Sequence, residues 1–524
     1  MIHSDLNTLE FDGIRRILAR LTLTPYGDEA ARALAPAPDL AIARRMQLSV
    51  SAARHIVDAG NQPRLGTVPD VRAALRQAAQ TGAALSVSAL AHLRTLTHVA
   101  GKLSVLAASY PDVCPESGDL LAPQAFTETI DHIINEHGRL REDASTLHIT
   151  LYRQFHAAES EVRVQLKAMI ASPEYAGAFS NQEPIHWQGF RAVLLVKPSF
   201  SDRIKGVRRG TSSGGRDVLI EPVAVVMHNN RLEAINGQIE AQNQEVLRQT
   251  TDIVREHTPA IQKLIDAIAW TDLALAGGQF SAALNAIAPE LVDTPTLALT
   301  QAYHPQLLLQ FQQRQITHVV PLSLVLDDSQ AMLVITGPNT GGKTVVLKTV
   351  GLLVTMAHCG LHLPAEGACI VGNFNRVIVD VGDKQSLHHH LSTFAGHVTV
   401  LRRLLEEADS HTLVLMDELG TGTDPEEGAA LAMAVLDELA TRKVRGIVTT
   451  HLSPLKLFAS EHPYLHNASM RFDYTTLTPT YQIETGQAGS SLGLIIAEKN
   501  GLPATLLEQA RHHLERIRQG QIFN

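Results

Sequence analysis

Between Leu9 and about Val292, apolar residues recur mostly at three- and four-residue intervals, the spacing that gathers them on one side of a helix. The first stretch, FDGIRRILARLTLTPYGDEAARAL, is broken at Pro25-Tyr26-Gly27 after its opening helix. Further helices are expected within residues 39–60, 68–82 and 87–109. Two longer ones follow, at Arg141–Ala171 and Val226–His257. The second is polar around much of its circumference, as a projecting arm would be.

Between these two arms the pattern changes. HWQGFRAVLLVKPSFSDRIKGVRRGTSSGGRDVLIEPVAVV has β-branched runs, turn residues and little helical period, which predicts a small β-rich insertion near 185–224 at the arm tips. After about Asp293 short apolar runs alternate with helical stretches. AMLVIT, RVIVDVG, HTLVLM and RGIVTT read as buried strands with helices between them, the pattern of a parallel α/β sheet. The expected organisation is a helical core over 1–140 and lever helices with the insertion over 141–260. A helical connector over 261–292, an α/β domain over 293–515 and a short tail over 516–524 complete it.

Composition adds limits. At 524 residues the chain is long for one core. Hydrophobic content of 45% with 19% charged residues is that of a globular protein, and abundant alanine and leucine favour helix. No apolar run is long enough to span a membrane, and the start lacks the basic-then-apolar pattern of a signal peptide. Cys114, Cys359 and Cys369 lack metal-type spacing, so a reducing cytoplasm is expected. The net charge of −9 excludes a generally basic coat on nucleic acid, so any such contact must come from a local patch. The insertion supplies one, with Arg203, Lys205, Arg208 and Arg209 as candidate contacts. A solvated, turn-rich surface is the plainer alternative. The run His388–His390 suggests a metal, but adjacent histidines do not share a helix face, so no metal role is expected there.

Three elements carry chemistry. Gly337-Pro338-Asn339-Thr340-Gly341-Gly342-Lys343-Thr344 has the phosphate-loop spacing, between a buried strand and a helix. Glycines let backbone N–H groups converge on phosphates at a helix start, Lys343 would neutralise the β- and γ-phosphates, and Thr344 would offer its hydroxyl to magnesium. The alternative is a glycine-rich strand-to-helix turn. Next, the strand HTLVLM ends in Asp417-Glu418. Asp417 suits a magnesium-binding carboxylate, and Glu418 is placed to polarise an attacking water. GIVTT then ends in His451, where a polar side chain would sense the γ-phosphate; a lone histidine is otherwise structural. Finally, Ser392-Thr393 in LSTFAGH reads as a helix N-cap and also as an anion site.

TGPNTGGKT, LSTFAGH, MDELGTGTDPEEGAALA and TTH, in this order, resemble the ATPase of the MutS family. LEFDGIRRIL, GTSSGGRDVLIEPVAVVMHNN and GLHLPAEGACI resemble its type-two branch. The resemblance implies an α/β ABC-type P-loop ATPase domain preceded by a mainly α-helical core and lever with a small β-rich clamp. It also implies ATP and Mg2+ as ligands, and a homodimer with composite ATP sites. By this likeness Gly337, Asn339, Gly342, Lys343 and Thr344 form the phosphate loop, and Asp417 and Glu418 the Walker B pair. Ser392 acts in trans as the signature residue, Asp424 lies in the loop that meets the partner, and His451 is the switch. The implied partner is branched or distorted DNA, in control of recombination rather than mismatch repair. Ribosomes or structured RNA, and an ATP-binding scaffold with negligible turnover, are the alternatives. The chain opens in the helical core, with no Phe-x-Glu wedge to read mismatches, and stops before a small Smr domain, so nuclease activity is not expected. Lys384 stands where the family typically has an acidic residue.

Overall fold

The computed structural model describes residues 3–518 apart from 5, 181–182, 213, 338–341, 382–392, 474–477, 487–493, 495–496 and 499–500. In chain order the strands are β1 (His3–Ser4), β2 (Ile185–Gln188), β3 (Arg191–Val196), β4 (Gly206–Thr211), β5 (Val218–Pro222), β6 (Glu290–Val292), β7 (Leu297–Ala302), β8 (Leu322–Leu326), β9 (Met332–Thr336), β10 (Ile370–Gly372), β11 (Arg376–Asp380), β12 (Thr412–Met416), β13 (Arg445–Thr449), β14 (Leu465–Asp473) and β15 (Thr478–Thr485). The chain divides into two compact units, one of residues 1–66, 105–117 and 267–524, the other of residues 67–104 and 118–266.

The first unit is a mixed α/β structure. Its large sheet has the order β1-β11-β12-β13-β9-β14-β15, parallel throughout except for the antiparallel last pair. The strands AMLVIT, HTLVLM and RGIVTT predicted as buried are indeed buried at every residue of β9, β12 and β13. Such runs have no polar face because both sides are covered. Successive side chains alternate between two cores. Leu333, Ile335, Leu413, Leu415 and Ile447 pack with Val346, Leu347 and Val350 of the helix Lys343–His358. Met332, Val334, Val414, Met416 and Val448 face the opposite way, against Leu401, Leu404, Ala432, Leu436 and Leu455. A second sheet, β6-β10-β7-β8, adds Leu297, Leu299, Leu324 and Val371 to the first core, as do Phe11, Ile14 and Leu18 of the helix Phe11–Leu21.

The second unit is helical with an antiparallel sheet of order β2-β3-β5-β4. Its core is a stripe of the helix Thr146–Ala171, with Leu151, Ala158, Val162 and Leu166, packed with Leu194, Val196, Ile220, Leu232 and Ile235. The β-rich texture between the arms is thus a true sheet. The arm after it is longer than the polar pattern suggests, running from Val223 to Ala283 through Pro259. A proline removes one ladder bond, yet Ile261, Leu264, Ile265 and Ile268 keep the buried spacing, and their burial carries the helix past the interruption. Among the described residues no helix is long and apolar enough to cross a membrane.

Candidate functional site

Because β9, β11, β12 and β13 are parallel, their C-terminal ends lie on one edge of the sheet, where the side chains that follow them converge. Gly337 leaves β9 with φ of 132° and Gly342 enters the next helix with φ of 90°, conformations open to a residue without Cβ. Lys343 opens that helix and is only 2% exposed. Its Nζ donates to the carbonyl of Gly337 at 2.8 Å. Burial pulls its pKa below the usual lysine value against the opposing charges of Asp417 and Glu418, while Lys456 lowers it further. A desolvated ammonium held by a loop carbonyl at a helix N-terminus is a place where an anion would be strongly favoured. Pro338, Asn339, Thr340 and Gly341 lie outside the described residues.

Two strands away, Asp417 follows β12. The Thr344 hydroxyl donates to its Oδ2 at 2.5 Å, and the Thr449 hydroxyl donates to its Oδ1. The Asp417 N–H donates to the carbonyl of Asp380 at 2.8 Å, which fixes the turn. Glu418 has a left-handed backbone, φ of 54°, and its N–H donates to Thr449 Oγ1 at 2.9 Å. The structure therefore brings together Lys343, Thr344, Asp417 and Glu418. It adds Thr449, a strand-end residue that bridges both acids and that the motif TTH contains without pointing to a role for it. Thr344 Oγ1 and a carboxylate oxygen of Asp417 are hard donors side by side, the pair that a magnesium ion takes.

Other candidates are placed differently. Asp424 caps the helix Pro425–Thr441, accepting from the N–H groups of Glu426 at 2.9 Å and Glu427 at 3.3 Å. His451 stands exposed two residues after β13, and among the described residues no hydrogen bond joins it to Thr344, Asp417 or Glu418. Ser392, Lys384 and the His388–His390 run lie outside the described residues.

Beside the helix N-terminus opens a cavity of about 520 Å³, lined in part by His318, Tyr481, Gly342, Val345, Val346 and Thr349. The rings of His318 and Tyr481 lie 6.1 Å apart at 38°. A Cβ on Gly342 would fall 2.7 Å from the Tyr481 ring, so the loop glycine also lets this wall close in. Apolar walls with an aromatic edge suit a planar heterocycle. The cavity joins residues far apart in the chain, and no local pattern announced it.

In the second unit, Arg203 lies over the Phe200 ring, 4.9 Å from its centroid, and Lys205 is exposed. Arg208 pairs with Asp202 and donates to Ser201 Oγ at 3.0 Å. Arg209 Nε donates to Glu221 Oε2 at 2.7 Å, and Arg191 Nη1 to Glu221 Oε1 at 2.9 Å. Asn229 Nδ2 donates to the same carboxylate at 2.8 Å. Burial pushes the Glu221 pKa up, but the bonds from Asn229 and Arg209 and the two arginine charges bring it below the usual value. Arg209 is thus tied to the buried Glu221, with 36% of its side chain exposed, while Arg208 keeps 58%.

The profile of the MutS domain V family matches residues 333–518, the part that carries the phosphate loop and both acids. Proteins named endonuclease MutS2 are similar over nearly all of the chain. That of Symbiobacterium thermophilum is 35% identical over 519 residues, covering 97% of this chain and 63% of the relative. That of Thermus thermophilus is 36% identical over 506 residues, covering 96% and 65%. That of Halothermothrix orenii is 33% identical over 523 residues, covering 98% and 65%. The chain spans a little under two thirds of the length of these relatives.

Proposed function

As the chain belongs to the MutS family, in its type-two branch, we propose that it is a magnesium-dependent ATPase of the ABC type that works as a homodimer on branched or distorted DNA. The observation that carries the reading is the meeting of Thr344 and Asp417 beside the buried Lys343. One motif supplies the first and third of these residues, and a strand about seventy residues later supplies the second. Their convergence supports a triphosphate site over a glycine-rich turn.

In this reading the helix N-terminus and Lys343 hold the β- and γ-phosphates, and Lys343 exchanges the Gly337 carbonyl for a phosphate oxygen. Thr344 and Asp417 would hold Mg2+, which would supply positive charge against the charge that develops on the phosphates. Glu418 takes a proton from the attacking water. Its left-handed backbone and the Thr449 hydroxyl fix where its side chain starts. The cavity beside Gly342 takes the base against Tyr481 and His318. Ser392 and Asp424 belong to the face where a second protomer completes the site, and His451 is the switch that senses the γ-phosphate.

The β-rich insertion near 185–224 is the clamp. Lys205, Arg203 and Arg208 supply local attraction for phosphates, and a closing dimer supplies retention, which reconciles binding with a net charge of −9. A role in the control of recombination follows the type-two branch.

Glu418→Gln tests both halves. It should lower ATP turnover by about a hundredfold or more while ATP still binds. Equal, negligible turnover in wild type and variant would leave only a binding scaffold. The ATP-trapped variant should prefer four-way-junction DNA to homoduplex over a salt series. Preference for ribosomes would overturn the DNA assignment.

A further inference from the structure

Asp380 ends β11, and its side chain is 3% exposed. Its carbonyl accepts from the N–H of Asp417, and its Oδ2 lies 2.7 Å from His397 Nδ1. An ionised carboxylate only accepts, so Nδ1 carries the hydrogen, and this fixes the tautomer and the plane of the ring. His397 is the fifth residue of the helix Thr393–Glu407, the helix that directly follows Ser392. The bond also ties together the two ends of the segment that runs from β11 into this helix.

Two hydrogen bonds in series therefore connect the main chain of Asp417 with the helix Thr393–Glu407. We propose that Asp380 and His397 are positioning residues for ATP hydrolysis in trans: the pair sets the first turn of this helix against the nucleotide held by a partner protomer. The inference rests on the composite-site reading given above. A shift at the end of β12 as its own nucleotide binds or leaves passes through Asp380 to that turn, so each site adjusts the other. Since each protomer's own phosphate loop holds its ATP, the pair governs turnover and not affinity.

Steady-state kinetics of variants separate this role from a general loss of fold. His397→Ala should lower kcat by about tenfold or more with the KM for ATP within about twofold, because a misplaced group costs rate before it costs binding. His397→Asn, whose side-chain N–H can take the place of Nδ1, should recover most of the rate. His397→Gln, which places its N–H at the far side of the ring, should not. Equal losses in all three variants, or a raised KM, would overturn the assignment.

Heterodimers purified through two different tags then decide cis from trans. A His397→Ala protomer paired with a Glu418→Gln protomer has one site with intact phosphate loop, intact acids and intact facing helix. It should turn over ATP at about half the wild-type rate, well above either parent. The Ser392→Ala and Glu418→Gln heterodimer is the control. If the control recovers activity and the His397→Ala heterodimer does not, the site is composite and the trans role of His397 is wrong. If neither recovers, the composite site itself fails and the proposal fails with it.

Discussion

Two buried ionic centres, one in each unit, look alike in composition and differ in what completes them. Glu221 of the second unit is fully enclosed and takes hydrogen bonds from Asn229, Arg191 and Arg209. Lys343 is almost as enclosed, but the bond from its ammonium goes to a neutral carbonyl in its own loop. Asp417 beside it is held by two hydroxyls, groups that readily share a carboxylate with a cation. A charge paired by opposite charges maintains structure, and breaking the pair is costly. A charge held by neutral groups is prepared for a partner that is not part of the chain.

The sharpest way to break this comparison is to remove each centre's charge. Lys343→Ala should weaken ATP binding by about 3 kcal/mol, some hundredfold, the cost of losing one partner of a buried charge pair. The nucleotide-free protein should keep its melting temperature. A large loss of stability instead would show that Lys343 is structural.

Glu221→Gln should do the reverse. It leaves Arg191 and Arg209 short of an anion and should cost the second unit about 2–3 kcal/mol, measured by chemical denaturation, with ATP turnover unchanged when no nucleic acid is present. The figure is reduced because both arginines are partly solvated.

Acid should separate the units. Burial holds His304, His358 and His362 of the first unit down to about 4. For groups depressed in the fold, the unfolded chain takes up protons first, so their contribution is present above about 6.5 and is lost as pH falls towards 4. Glu221 is also depressed, and its contribution is lost only below the usual carboxylate range. Between pH 6.5 and 5 the first unit should lose stability with a slope of up to three protons while the second holds, as hydrogen exchange at stepped pH would record. A second unit that softens first would sink the assignment.

The smallest effect belongs to the exposed Arg208. Arg208→Ala should weaken DNA binding a few-fold and reduce the salt slope by about one, with the fold unchanged. Arg209→Ala should instead lower stability through Glu221. An equal effect of both on the salt slope would return Arg209 to the nucleic-acid surface.

Much of the first centre was legible in sequence because neighbours in the chain define it. The glycine spacing that makes a loop also places Lys343 and Thr344, and an apolar run ending in two acids places Asp417 and Glu418. Thr449 stands in the motif TTH, but its role was hidden because it depends on which strand lies beside β12, and strand order is set by packing of the whole sheet. The pairing of Arg209 with Glu221 was hidden for the same reason. Within one basic run, sequence cannot tell an arginine facing solvent from one turned towards a buried acid. Pro259 shows a third kind of gap, since the helix continues through it by the burial of later residues.

The backbone of Glu418 has a consequence of its own. A residue with a Cβ held at φ of 54° carries on the order of 1–2 kcal/mol of conformational strain, and glycine at the same point would carry almost none. Gly420 and Gly422, which follow, also adopt positive φ and relax there freely. Selection for thermal robustness alone would therefore drift this position towards glycine, and the proposed general base would be lost as the protein became harder to melt. Screens that rank variants of this chain by melting temperature will favour its loss.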